Sequence, residues 1–117
     1  MYEQLLCHLV SDYWLQNDWM ALNKKKNFFV ALLHGFIYTL PFLLLTNSAT
    51  ALLAIWLSHA FIDYTDVVCF LNRIKNWNFR TTDGFAVNRP PFITIWLLII
   101  QDNILHLCIN YICLKWL

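Results

Sequence analysis

The sequence predicts an all-α membrane protein, a compact bundle of four helices in a single membrane-embedded domain over residues 1–117. Three observations carry that expectation. Of the 117 residues, 60% are hydrophobic and only 13% are charged, with a mean hydropathy of +0.52, whereas a water-soluble domain carries about 25% charged residues. Three apolar runs are each about as long as a bilayer-spanning helix. The ionisable residues inside those runs repeat at i, i+4, the spacing that keeps side chains on one face of a helix.

The first helix is expected from Met1 to about Leu22. Leu5, Leu6, Leu9, Val10, Tyr13 and Trp14 make it apolar, and Gln4, His8, Asp12 and Gln16 form a narrow polar stripe. Such a segment is either embedded in the membrane or lies at its interface, and the narrowness of the stripe favours embedding. It is not expected to be a secretory signal, because Glu3, His8 and Asp12 interrupt what would be the apolar region.

Three clearly transmembrane helices are expected at residues 28–46, 49–71 and 92–117. Pro41 falls inside the first of these and is tolerated there, since neighbours in a membrane can satisfy the freed carbonyl. Pro90 and Pro91 mark the start of the last. The four cysteines, Cys7, Cys69, Cys108 and Cys113, form no C-x-x-C pair and are expected to pack as small hydrophobes.

Lysine and arginine sort to one side. Apart from Lys115, all lie in the connections 17–27 and 72–91, which an even number of crossings puts on the same face. The positive-inside rule makes that face cytoplasmic in a bacterial inner membrane, and Trp19, Trp77, Phe79 and Phe85 suit an interfacial aromatic belt. Asp18 and the run Lys24 to Lys26 read as a solvated loop. A net charge of +1 gives no bulk attraction to nucleic acid, so no nucleic-acid partner is expected; the partners are the lipid bilayer and a membrane-borne substrate or a host membrane protein.

The chemistry is expected from histidine and aspartate. Ionisable groups inside membrane helices are costly and usually functional. His8 and Asp12, His59 and Asp63, and Asp102 and His106 are i, i+4 couples, and His34 stands alone, so each apolar segment has one histidine. Counted from the basic ends at 1.5 Å per residue, Asp12 and Asp102 fall at about 15 Å, His8 and His106 at about 21 Å, His59 at about 18 Å, Asp63 at about 12 Å and His34 at about 10 Å. These seven residues therefore share one slab of the bundle.

Imidazole nitrogens and carboxylate oxygens ligate zinc, manganese and iron, and helical bundles build such sites from facing couples. His8, Asp12, His34, His59, Asp63, Asp102 and His106 are thus expected ligands of a divalent transition metal, zinc or manganese, either one ion with outer support or two ions sharing carboxylates. Asp12, Asp63 and Asp102 are the candidate catalytic carboxylates, with Gln16 and Gln101 supporting them from behind. Metal held this way would serve hydrolysis of a membrane-borne phosphate or ester. Two other readings compete: a polar network that fixes helix register in a non-catalytic protein binding a host envelope protein, and a small proton or ion conductor.

The run HLVSDYWLQNDWMALNKKK, followed in order by LLHGFIYTL, LSHAFIDYT and LIIQDNILHL, resembles the domain of unknown function three-three-zero-seven family of small bacterial and phage membrane proteins. The resemblance covers nearly the whole chain. It implies a membrane bundle with shared positions at His8, Asp12, Gln16, His34, His59, Asp63, Asp102 and His106, and it is distantly similar to the pattern of inner-membrane metal-dependent hydrolases. Tyr38 stands where relatives often show a second histidine, Asn103 where glutamine is common, and Asp66 where lysine is frequent. A phage origin would suit a compact protein that alters the host envelope.

Overall fold

A computed structural model describes residues 2–117; Met1, the expected start of the first helix, lies outside the described residues. Those residues form six α-helices and no strand: α1 (Tyr2–Leu9), α2 (Asp18–Asn23), α3 (Phe28–Thr39), α4 (Ala49–Tyr64), α5 (Val67–Lys75) and α6 (Pro91–Trp116). The all-helical expectation holds, but the expected elements are cut differently. The chain falls into two units, Met1–Thr65 with His106–Leu117, and Asp66–Leu105.

In the first unit the expected N-terminal helix is interrupted. After α1 the backbone widens into a π-helical turn, Val10–Trp14, closed by Leu15 N–H donating to the Val10 carbonyl at 2.9 Å. A π turn inserts one extra residue and re-aims the side chains on it, and Asp12 sits within it. Asn17 then starts α2, its side chain accepting from Met20 N–H at 2.8 Å, a standard N-cap. Asn27 and Ser48 cap α3 and α4 in the same way.

Pro41 decides how α3 ends. With no N–H to donate, the chain tightens into a 3-10 turn, Leu40–Leu44. At the far end of α4, Thr65 Oγ donates to the Phe61 carbonyl at 2.8 Å, and Lys25 Nζ donates to the carbonyls of Asp63 and Thr65 at 3.2 and 3.0 Å. These contacts satisfy the carbonyls that a helix C-terminus leaves open. The chain turns at Thr65 and Asp66, so the expected span 49–71 is two helices. Among the described residues, α6 is the one helix long and apolar enough to cross a membrane unbroken.

α3 and α4 pack closely because of Gly35: a Cβ there would lie 3.0 Å from the Trp56 ring and 3.1 Å from its carbonyl. Trp56 Nε1 in turn donates to the Leu32 carbonyl at 2.8 Å. The facing stripes are Val30, Ala31, His34 and Tyr38 on α3, and Ala51, Ile55, His59, Ile62 and Asp63 on α4, all buried. Cys7, Tyr38, Phe42, Ile55 and Cys113 form the apolar core of this unit.

Beside that apolar core, this unit buries a set of polar side chains and exposes many apolar ones. Gln4, His8, Ser11, Asp12, His34, His59, Asp63 and Asn110 are buried, while Leu5, Leu6, Leu33, Phe36, Leu53, Leu57 and Phe61 are exposed. Soluble folds bury charged side chains almost only when paired. All four cysteines are free; Cys7 and Cys113 are buried as expected of small hydrophobes, Cys69 is partly covered, and Cys108 is exposed.

The second unit comprises α5, the connection 76–90 and the first turns of α6. Asn72, Asn76 and Asn78 use their side-chain amides to hold the carbonyls of Asp83, Gly84 and Phe85. Gly84 has φ +79°, and a Cβ on it would meet Arg73 and Asn72 backbone atoms at 2.5–2.8 Å, so the turn needs glycine. Of the expected aromatic belt, Trp19, Trp77 and Phe79 are exposed, but Phe85 is only 3% exposed. It is a core residue of the turn that the asparagines hold, and Arg89 packs over its ring at 5.2 Å.

Candidate metal centre

The site is built by the π turn, α3, α4 and the end of α6 within the first unit. The π turn supplies Asp12, α3 supplies His34, and α4 supplies His59 and Asp63, the last two one helical turn apart so that they share a face. All four side chains are buried, and one ligand atom from each lies within 4.8 Å of the other three. This buried cluster could hold a metal ion.

The distances define its shape. His34 Nε2 lies 3.1 Å from Asp12 Oδ1, 3.2 Å from Asp63 Oδ2 and 3.1 Å from His59 Nε2. His59 Nε2 lies 3.4 Å from Asp12 Oδ1 and 3.1 Å from Asp63 Oδ2. A tetrahedral ion with bonds of 2.0–2.1 Å to nitrogen and oxygen has ligand–ligand edges of about 3.3 Å. Five edges of this cage fall at that length.

Hydrogen bonds alone do not explain the cage. Each Nε2 carries either one hydrogen or one lone pair, yet each faces three polar atoms at 3.1–3.4 Å. One proton cannot point at three acceptors, whereas a central cation engages all of them. The donor set, two imidazoles and two carboxylates, suits zinc, manganese or iron, so the residues present fit the ion. One departure from usual metal sites is that Nδ1 of His34 and of His59 is buried without a hydrogen-bond partner. Metal-bound histidines commonly donate that N–H to an oxygen. Here packing orients the His59 ring instead: Tyr38 stacks on it at 3.6 Å and 16°.

His8 and His106 stand one layer further out. His8 Nδ1 is 3.6 Å from the other oxygen of Asp12, and His106 Nε2 is 3.4 Å from the other oxygen of Asp63. Each carboxylate thus spans from the cage to an outer imidazole. Both histidines were expected as direct ligands; the structure brings them to the carboxylates that line the cage. Gln16 Nε2 donates to the backbone carbonyl of Asp12 at 3.2 Å, supporting the π turn from behind. Gln101 Nε2 lies 3.3 Å from Asn72 Oδ1, inside the second unit. Asp102 also belongs to the second unit; it sits half-buried on α6, one turn before His106.

Four residues of the site escaped sequence reasoning. Lys24, read as part of a solvated loop, places Nζ 3.0 Å from Asp63 Oδ2, with its side chain only 18% exposed. Its position between the short α2 and α3 turns it inward, where burial of two carboxylates makes an ammonium favourable. Tyr38 sets its hydroxyl 2.7 Å from His8 Nδ1, and Asn110 Nδ2 donates to the same hydroxyl at 2.6 Å. Ser11 Oγ donates to the Tyr38 carbonyl at 2.8 Å, tying the π turn to α3. Tyr38 and Asn110 could have been found by extending the i, i+4 stripes from His34 and His106 by one turn; Lys24 carries no such signal.

Searches among curated proteins and among solved structures each gave no significant match. A family model matches residues 1–116, and the chain belongs to the family described as protein of unknown function (DUF3307).

Proposed function

We propose that this chain is an integral protein of the inner membrane that holds one divalent transition ion between Asp12, His34, His59 and Asp63 and uses it to hydrolyse a membrane-borne phosphate or ester. The observation that carries the reading is the cage of near-equal 3.1–3.4 Å edges with an ammonium on one corner. The outward-facing leucines and phenylalanines and the 26-residue apolar α6 support the bilayer as solvent.

A divalent ion at this position supplies Lewis acidity to a phosphoryl or carbonyl oxygen and makes water a stronger acid. The chain's own groups would do the rest. Lys24 Nζ, 3.0 Å from Asp63 Oδ2, would compete with the ion for that oxygen, so His34, His59 and Asp12 would be the three firm ligands and Asp63 the base that takes a proton from water. His106, on the far oxygen of Asp63, would fix that carboxylate's orientation, as His8 would for Asp12. With neutral imidazoles, two carboxylates, one ammonium and a divalent ion leave one net positive charge, which favours an anionic substrate such as a phosphate.

A second reading rests on the same cage being closed: four protein ligands, all buried, are the pattern of structural metal sites. The ion would then pin the π turn, α3 and α4 in a non-catalytic protein that binds a host membrane protein. Elemental analysis of the detergent-purified chain tests both at once. About one equivalent of metal, absent from His59→Ala, is expected; less than about half an equivalent with a fold insensitive to chelator would end both metal readings. Phosphate release from lipid phosphate micelles, lost in Asp63→Asn while metal is kept, separates the catalytic reading from the structural one.

A further inference from the structure

In the second unit, one stretch of chain turns its apolar residues outward. On α5 the polar residue Asn72 is buried, 1% exposed, and the apolar residues point outward: Phe70, Leu71 and Ile74 are each 46–48% exposed. Beyond α5, Trp77 is 91% exposed and Phe79 64%. These five apolar side chains fall within ten residues of chain, and Lys75 and Arg80 lie exposed among them.

Trp77 has φ +51°, a left-handed conformation that costs a bulky residue about 1–2 kcal/mol. It is held there by Trp77 N–H donating to the Ile74 carbonyl at 3.2 Å and Asn78 N–H donating to the Arg73 carbonyl at 3.0 Å. This pair of hydrogen bonds is the usual closure of a helix end by a left-handed residue just past the cap; here that residue, commonly glycine, is a tryptophan, and it stands 91% exposed. The asparagine side chains 72, 76 and 78 hold the carbonyls of residues 83–85.

We infer that α5 and the Trp77–Phe79 corner form a membrane-surface anchor, in which Phe70, Leu71, Ile74, Trp77 and Phe79 enter the interface of a leaflet while Lys75 and Arg80 bind the phosphates of anionic lipids. Amphipathic segments with aromatic and aliphatic residues on one side and basic residues beside them lie in the bilayer interface. Tryptophan suits headgroup depth because its ring is apolar and its N–H is polar. Each lysine or arginine near an anionic surface adds an attraction that salt screens. Acidic residues are absent from positions 67–80; the flanking ones are Asp66 and Asp83. The anchor rests on the membrane reading and not on the metal.

The test uses the full chain in phosphatidylcholine vesicles with and without phosphatidylglycerol. The fluorescence difference between wild type and Trp77→Phe isolates one of the six tryptophans. That difference should be quenched by lipid brominated near the headgroup and not by aqueous iodide. Phosphatidylglycerol should increase the quenching at least twofold, and Lys75→Gln/Arg80→Gln should remove that increase. Quenching by iodide, insensitivity to brominated lipid, an equal response in neutral vesicles, or crosslinking of Trp77 corners between two copies overturns the anchor. Metal content measured on the same samples reports separately on the metal centre, so its failure cannot be mistaken for failure of the anchor.

Discussion

His34 and His59 turn their Nε2 atoms towards each other at 3.1 Å, on adjacent helices, with no solvent access to either ring. Two imidazole nitrogens at that distance need something between or on them: a shared proton, or a cation that takes both lone pairs. Because carboxylate oxygens complete the same cage, the cation accounts for more of the geometry than the proton does. Binding to the folded state alone stabilises it by about 2.7 kcal/mol at a hundredfold excess over Kd. Adding zinc or manganese to chelator-treated protein should therefore raise the thermal midpoint by several degrees. His34→Ala and His59→Ala should abolish that rise, and a midpoint in those variants that still responds to metal would place the ion elsewhere.

Lys24 and Asp63 give the next expectation, because their 3.0 Å contact joins a loop cation to a cage corner. Breaking a buried pair by removing one partner is costly, about 3–5 kcal/mol, since the other charge is left uncompensated. Lys24→Gln should lower thermal stability most in metal-free protein and less in metal-loaded protein, where the ion itself compensates Asp63. Melting curves of both forms check this. An equal loss in the two forms would mean that Lys24 and the ion do not share Asp63.

How far the site was legible follows from these residues. His59 with Asp63, and His8 with Asp12, could be read as couples because i, i+4 spacing fixes a shared helix face without tertiary information. His34 came from its depth and from being the only ionisable residue in its segment. The layering could not be read: whether His8 or His34 meets Asp12 depends on the π turn, and nothing in the residues 10–14 announces a π turn, whose cost is met by packing such as Ser11 on the Tyr38 carbonyl. The break at Thr65 and Asp66 was hidden for a related reason. Hydropathy stays high through residue 71, and what ends α4 is a lysine from a distant loop capping its carbonyls. The outward apolar face of α5 then made residues 67–71 look like more of the same span.

Tyr38 stands one turn beyond His34 on the same face, and its role is testable by a one-atom change. Its hydroxyl joins His8 to Asn110, and its ring lies on His59. Tyr38→Phe keeps the stacked ring and strips the hydroxyl, leaving the buried Asn110 amide without that acceptor, a loss of about 1–3 kcal/mol. Metal should still bind, with affinity lowered by about 10–100-fold if His8 orients Asp12 through this link. Titration with a competing chelator measures it; unchanged affinity alongside lowered stability would make the link structural only.

Gly84 tests whether the second unit is as rigid as its asparagine clamps indicate. Its φ of +79° and the 2.5–2.8 Å approach of Arg73 and Asn72 backbone atoms leave no room for a methyl group. The left-handed backbone alone costs an alanine about 1–2 kcal/mol, and a clash with main chain adds to this because main chain cannot swing aside. Gly84→Ala should therefore open the turn that Asn72, Asn76 and Asn78 hold, and protease should cut within residues 76–90 several times faster than in wild type. The metal centre lies in the other unit, so metal content should stay at the wild-type level. Loss of metal together with faster cleavage would show that the turn and the cage fold as one cooperative piece.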